Sequence, residues 1–458
     1  MTKSPNPIEG WEINNQHKVD IDLPTLAEVD VLVVGGGAAG VAAATVAAEA
    51  GKSVIIIEKY GFFGGAAVAG MSGTICGMYL AKDDLSNGPE QVVFGFTERF
   101  RHAMESCGGI TKPQIYGKTF TVTHDPLKWK EVADHFVKKA GVNILFHSAV
   151  TGVLLDGEVY KGVVVESNAG QSKIYAKRII DASGDAAVVA RAGHGYVFGD
   201  NGRIQNPTMF FRVGNVDIHK YLEYFGVDTI SPPKVIKALE EAHASGKYFL
   251  PRNKIWIFPT TRPNELLVNA TRLSAEDGRM LNVIDPADFT KAEVLGRYQV
   301  REYARFLKDY IPGCENTYVV DTGVEAGIRQ TRSILSAEIL RNDDVVNCRK
   351  RPDGICRVPW PIELHSGDKP KLYWLIDDYY EVPYLSLVPK FGENIIVAGR
   401  CLGAEHEALA SARVTAQCFE YGHAAAVAAC HSIDQNIPIR SLDIQAIREV
   451  MKLNGSNL

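Results

Sequence analysis

Val29-Asp-Val-Leu-Val-Val-Gly-Gly-Gly-Ala-Ala-Gly-Val-Ala-Ala-Ala-Thr-Val-Ala-Ala-Glu-Ala-Gly-Lys-Ser-Val-Ile-Ile-Ile-Glu-Lys59 decides the fold. An apolar run (Val31 to Val34) meets a glycine turn, an alanine-rich stretch follows to Ala50, and a second apolar run ends on Glu58. That order reads as strand, tight turn, helix, strand, the opening of a parallel sheet. In Gly35-Gly36-Gly37-Ala38-Ala39-Gly40 the first, third and sixth positions are glycine. Gly35 permits the turn, Gly37 lets backbone approach a diphosphate, and Gly40 lets the helix pack closely on the sheet. The N–H groups of Ala38 and Ala39 then stand at a helix N-terminus, where a diphosphate is favoured. Glu58, 23 positions after Gly35, is placed to accept hydrogen bonds from ribose hydroxyls. A carboxylate there repels a 2′-phosphate, so NADP is excluded at this site while NAD and FAD stay open.

Outward from this unit, Lys128 to Ala140 has helical spacing of apolar residues, and Val142–Phe146, Val150–Leu155 and Gly162–Glu166 read as strands. Arg178-Ile179-Ile180 is a further strand running into Asp181-Ala-Ser-Gly-Asp-Ala186. From about Asn206 the pattern changes to aromatic-rich strands mixed with charged helices, and strand character of the first kind returns at Asn394–Ala398, before a long helix over roughly Ala408–Cys430. The expected fold is therefore α/β: a discontinuous Rossmann-type dinucleotide-binding domain (29–205 and 385–432) with an inserted mixed α+β substrate or capping domain (206–384). An N-terminal arm (1–28) and a C-terminal tail helix (433–458) flank them.

The chain has 458 residues, 46% hydrophobic and 22% charged, with a net charge of −5. That balance suits two or three packed units and carries no overall basic footprint for nucleic acid, leaving a small molecule as the expected partner. The eight cysteines are scattered with no C-x-x-C pair, so reduced thiols and a cytoplasmic location are expected. The uncharged runs Val31–Ala48 and Tyr60–Ala81 are broken by glycines and read as dry core, not membrane spans. No metal site has diagnostic spacing, and no second G-x-G-x-x-G for a nicotinamide is present. Trp256-Ile257-Phe258-Pro259 has only part of the W-x-x-P pattern of flavin-dependent halogenases and reads as an aromatic strand.

The opening segment resembles the large superfamily of FAD-dependent oxidoreductases that includes glutathione-reductase-like and fumarate-reductase-like flavoproteins. Three more segments, Arg178–Gly193, Gly327–Ile334 and Pro383–Ala429, are similar to one bacterial branch known simply as FAD-dependent oxidoreductases. The resemblance implies FAD bound along Gly35, Gly37, Ala38, Ala39, Gly40, Glu58, Lys59, Gly64, Gly65, Ala66, Ser183, Gly184, Asp185, Gly399 and Ala412, with the Val150 backbone at the adenine and Asp181, Gly184 and Asp185 near the adenosine and diphosphate side. Arg400 stands where fumarate-reductase-like proteins carry an acidic residue to the ribityl chain, a departure that leaves that contact open. The helix from about Ser411 is expected to point its N-terminus at the flavin pyrimidine. No histidine lies between His17 and His102, which removes a histidyl linkage near Gly64, and a cysteinyl link through Cys76 is disfavoured, so FAD is expected to be noncovalent.

On the substrate side, flavin chemistry needs a proton carrier and a cation or dipole near the reacting carbon. The candidates are His406, Arg413, Arg329, Arg332, His365 and Tyr384, and the arginines favour a polar or anionic substrate. The expected activity is a dehydrogenase or reductase that passes hydride between a small metabolite and FAD, with a quinone, a carrier protein or oxygen as acceptor. A flavin monooxygenase and a flavin-carrying subunit of a larger complex are the alternatives. Oligomeric state is left open by the sequence.

Overall fold

The computed structural model describes residues 16–19, 21–365 and 371–458. Residues 1–15, most of the expected N-terminal arm, lie outside the described residues. The parallel sheet is built in the spatial order Asn143–Leu145, Val54–Ile57, Thr25–Val34, Gly170–Asp181, Ile395–Val397. Val31, Leu32, Val33 and Ile56 are wholly buried, as expected for strands covered on both faces. Strand Gly170–Asp181 is shared: its first half pairs antiparallel with Val159–Ser167, which pairs in turn with Ala149–Asp156. Gln16–Lys18 adds a parallel edge to this meander.

Helix Ala38–Glu49 covers one face of the parallel strands, together with Thr415–Gln435. Both helices approach by backbone. A Cβ on Gly40 would fall 1.8 Å from the Gly35 carbonyl oxygen, and one on Gly422 would fall 2.0 Å from the Ala39 carbonyl oxygen. The single long helix expected over Ala408–Cys430 is two helices, His406–Ala412 and Thr415–Gln435, with the break at Arg413 and Val414.

A second, antiparallel sheet has the order Trp256–Pro259, Leu266–Asn269, Phe211–Gly214, Tyr318–Thr322. Side chains on its strands alternate between two cores, as the pleat requires. Ile257, Leu266 and Val268 face a local core with the 25-residue helix Pro286–Tyr310, whereas Trp256, Phe258 and Leu267 join the core of the dinucleotide-binding side. Side chains between Leu340 and Val388 also pack into that larger core. The expected boundaries 206–384 thus enclose residues of both cores. Between the first helix and Pro126, a small sheet (Thr74–Ile75, Gln114–Tyr116, Thr119–Thr123) and helix Phe96–Ser106 form an insertion whose strands are too short for a periodic sequence signal. The tail carries helix Ile444–Leu453, with Ile447 and Met451 wholly buried.

Replacing Gly422 by alanine forces a methyl group into the Ala39 carbonyl. The expected cost is about 1–3 kcal/mol of stability, read as a lower melting temperature of the purified holoprotein; an unchanged melting temperature contradicts the backbone contact.

Candidate functional site

The C-terminal ends of the parallel strands open into a cleft of about 860 Å³. From the first strand come Gly35, Gly37, Ala38 and Ala39; the helix they begin has no side-chain cap at its N-terminus, so its first N–H groups remain available to an anion. From the second come Glu58 and Lys59, followed by Gly64, Gly65 and Ala66. Gly65 and Gly37 approach so closely that a Cβ on Gly65 would lie 3.0 Å from the Gly37 Cα. Ser183, Gly184 and Asp185 follow the strand ending at Asp181, and Gly399 and Arg400 follow Ile395–Val397. Gly40, Val150 and Ala412 do not line the cleft. Gly40 makes the backbone contact described above, Val150 pairs with Val165 in the meander, and Ala412 is wholly buried in the helix before the break.

Glu58 accepts the Gly36 N–H at 2.7 Å and the Tyr60 N–H at 2.9 Å. Burial raises its carboxyl against the pull of these two bonds. Lys59 pairs with Glu325 at 3.1 Å, a contact from the inserted unit to the cleft's edge. Asp181 is turned away from the cleft, accepting from Ser183 and from the Val188 and Val189 N–H groups. Asp185 and Arg400 form an ion pair of 2.6 Å, with the Thr331 hydroxyl also donating to Asp185. Burial would raise the Asp185 carboxyl, but the Arg400 charge and the Thr331 bond outweigh it and lower it. The arginine at the expected ribityl position therefore comes with its own carboxylate partner.

An uncapped helix N-terminus, two glycines in backbone contact and a ribose-side carboxylate fit a dinucleotide. A family model described as FAD dependent oxidoreductase matches residues 30–451, nearly the whole chain. The chain belongs to this family. It is an FAD-dependent oxidoreductase, and FAD is its cofactor. No sequence among curated proteins gives a significant match.

Solved structures of similar shape include a geranylgeranyl bacteriochlorophyll reductase-like protein from Thermoplasma acidophilum (16% identity, 93% of this chain, 83% of that one, TM-score 0.48). The flavin-dependent brominase Bmp2 matches at 14% identity over 93% of this chain and 83% of its own (TM-score 0.46). A p-nitrophenol 4-monooxygenase from Pseudomonas putida DLL-E4 matches at 12% identity over 94% and 81% (TM-score 0.43). The reactions in those names belong to those proteins.

A second chamber of about 820 Å³ adjoins the FAD cleft; Ala66, Ile328, Arg400, Arg413 and Thr415 border both. Three of the six catalytic candidates, Arg329, His365 and Arg413, line it. Arg329 donates to the Asn206 carbonyl at 2.8 Å and to the Asn269 Oδ1 at 3.4 Å. Arg413 donates to the Gln205 Oε1 at 2.9 Å, while its Nε is enclosed without a partner. His365 Nε2 stands 3.2 Å from Glu363 Oε1, which also accepts the Tyr116 hydroxyl at 2.7 Å. Burial, together with the Arg329 charge, lowers the imidazole to about 3. Glu363 is held at about 2: burial opposes this, but His365, Tyr116 and the Arg413 charge prevail.

The other three candidates lie elsewhere, for local reasons. His406 begins helix His406–Ala412 and faces Gly199, outside both chambers, with burial lowering it to about 4. Arg332 donates to the Asp185 carbonyl and covers the Tyr196 ring. Tyr384 is in the core, its hydroxyl bonded to the Ile439 carbonyl. The N-terminus expected near Ser411 belongs to the helix starting at Thr415, and Thr415 borders both chambers. Cys76 lines the second chamber, not the FAD cleft, and burial pushes its thiol up to about 12.

Sequence reasoning missed Glu363, Tyr116, Asn269, Phe258 and Trp360, all of which line the second chamber. For Glu363 a signal existed. In extended backbone, residues two apart share a face, so Glu363-Leu364-His365 already paired a carboxylate with the imidazole.

Among the described residues no helix is long and apolar enough to cross a membrane, and no three His, Cys, Asp or Glu side chains cluster as a metal site.

Glu58→Ala removes an acceptor that orders the glycine loop and lines the cleft where the FAD ribose is expected. FAD retention should weaken by one to two orders of magnitude, from charged hydrogen bonds of about 1.5–3 kcal/mol, measured by the FAD dissociation constant. The noncovalent expectation is checked by denaturing the yellow protein in acid: intact FAD should separate from the chain.

Proposed function

We propose that this oxidoreductase is a dehydrogenase or reductase, in which hydride passes between a carbon of a small polar or anionic metabolite and FAD. The observation that carries this reading is the chamber beside the FAD cleft, which holds two guanidiniums without a carboxylate partner, Arg329 and Arg413, and an imidazole beside the Glu363 carboxylate. FAD, when bound, supplies the hydride acceptor or donor. The protein groups supply the rest.

Arg329, which is buried, and Arg413, which is half-buried, bind and orient the substrate's negative charge, since both are bonded to neutral acceptors. His365, lowered well below neutrality, is uncharged at physiological pH and donates Nε2–H to the Glu363 carboxylate. Its Nδ1 lone pair is then free to take the proton of a substrate hydroxyl or amine as the adjacent C–H leaves with its electron pair. Glu363 fixes the ring orientation and tautomer. A quinone, a carrier protein or oxygen as acceptor completes turnover.

Anaerobic titration of the purified protein with 2-hydroxy and 2-amino carboxylates, following the flavin absorbance, tests the reading. Bleaching is the expected result; persistent flavin colour across the panel, with bleaching by a reduced nicotinamide instead, favours a monooxygenase.

Two variants refine it. Arg413→Ala should retain FAD and slow flavin reduction by about two to three orders of magnitude, measured by rapid mixing. The pH profile of flavin reduction should carry no acid limb near 6.5, the ordinary histidine value. Because the His365 pKa is depressed to about 3, the base form is present above that value and is lost only as pH falls through it.

A further inference from the structure

The substrate chamber is lined both by guanidiniums and by aromatic rings, and the contrast narrows what it takes. Resting on the reading of this chamber as the substrate site, we propose that its ligand is an amphipathic carboxylate: one anionic end on a flat aromatic body.

The anionic end follows from charge. Arg329 and Arg413 bring two guanidiniums to the chamber, and Arg252 adds a buried one outside its lining, bonded to the Asn269 Oδ1 and lying over the Trp256 ring. Arg400 is neutralised by Asp185. The carboxylate that faces the chamber is Glu363, already engaged by Tyr116 and His365. Cations withdrawn from water without an adequate counterion are costly, so a neutral ligand leaves these guanidiniums uncompensated.

The flat body follows from the aromatic rings that line the same chamber. Phe258 and Tyr116 lie nearly parallel, 19° between ring planes at 6.1 Å, and Trp360 tilts against Tyr116 at 5.0 Å; Phe210 extends the surface. All four rings are buried. Phe258 is there because the cap strand Trp256–Pro259 alternates, sending Ile257 to its own core and Phe258 to this side. A planar apolar body gains contact on such rings. An aliphatic dicarboxylate can answer the guanidiniums but leaves the aromatic rings without a flat apolar partner.

Binding can be read without turnover. Phenylacetate, succinate and 2-phenylethanol are titrated into the oxidised holoprotein while the flavin absorbance and heat of binding are followed. Phenylacetate should bind at least about tenfold more tightly than either of the others, a difference within the reach of one buried aromatic or charged contact. Phe258→Ala should weaken phenylacetate by about tenfold and keep FAD bound; Arg329→Met should do the same, and Arg329→Lys should restore part of the loss. Succinate or phenylethanol binding as tightly as phenylacetate, no phenylacetate binding at all, or no change in Phe258→Ala would overturn the proposal. Anaerobic mandelate separates the two readings. Tight binding without flavin bleaching rejects hydride transfer and keeps the aromatic carboxylate, whereas bleaching by lactate together with weak binding of every aryl acid does the reverse.

Discussion

Backbone meeting backbone is the contact on which this structure depends. At Gly40 the first turn of a helix is pressed against the loop that precedes it, and at Gly422 the C-terminal helix is pressed against that first turn. No side chain intervenes at either point. The first contact aims uncapped N–H groups across the strand ends, at the position where a diphosphate gains most from them. The second draws the start of helix Thr415–Gln435, and with it Arg413 and Thr415, to the same opening. The glycine-lined cleft and the border of the adjoining chamber are thus positioned by one stack of main chain.

Around that stack, buried charge is distributed unevenly. In the glycine-lined cleft two charges are answered by opposite ones: Arg400 has Asp185, and Lys59 has Glu325. In the adjoining chamber the guanidiniums are bonded to amide oxygens, and a carboxylate is spent on orienting an imidazole. Desolvation makes unanswered charge expensive. A site keeps it where a ligand supplies the missing sign.

The parallel core was legible because it is written locally. Val31–Val34, Gly35–Gly40 and Val54–Glu58 carry their periodicity and turn chemistry within thirty residues, and the later strands ending at Asp181 and Val397 repeat the apolar signature. Most of the residues named for the cofactor line the cleft for the same reason: each follows directly on a strand end. The substrate chamber was less legible. Tyr116, Asn269, Trp360 and Arg413 come from four stretches far apart in the chain, and nothing local marks Tyr116 as a partner of Glu363. His406 and Tyr384 have the right chemistry but the wrong facing, which is set by a helix start and by packing against Ile439. The insertion over residues 72–125 escaped notice because strands of two to five residues carry too little pattern to read.

Strand Gly170–Asp181 has a consequence for the order in which the molecule is made. Its outer edge is closed by Ile395–Val397, more than two hundred residues later in the chain, so during synthesis that edge stays open while the whole inserted unit emerges. The loop carrying Arg400 and the helix bearing Gly422 arrive later still. The nucleotide fingerprint is therefore made long before the last strand and loop that complete the cleft. Long-range closure of this kind is slow compared with local contacts, so the cleft is completed later than the glycine loop that gives it its first wall.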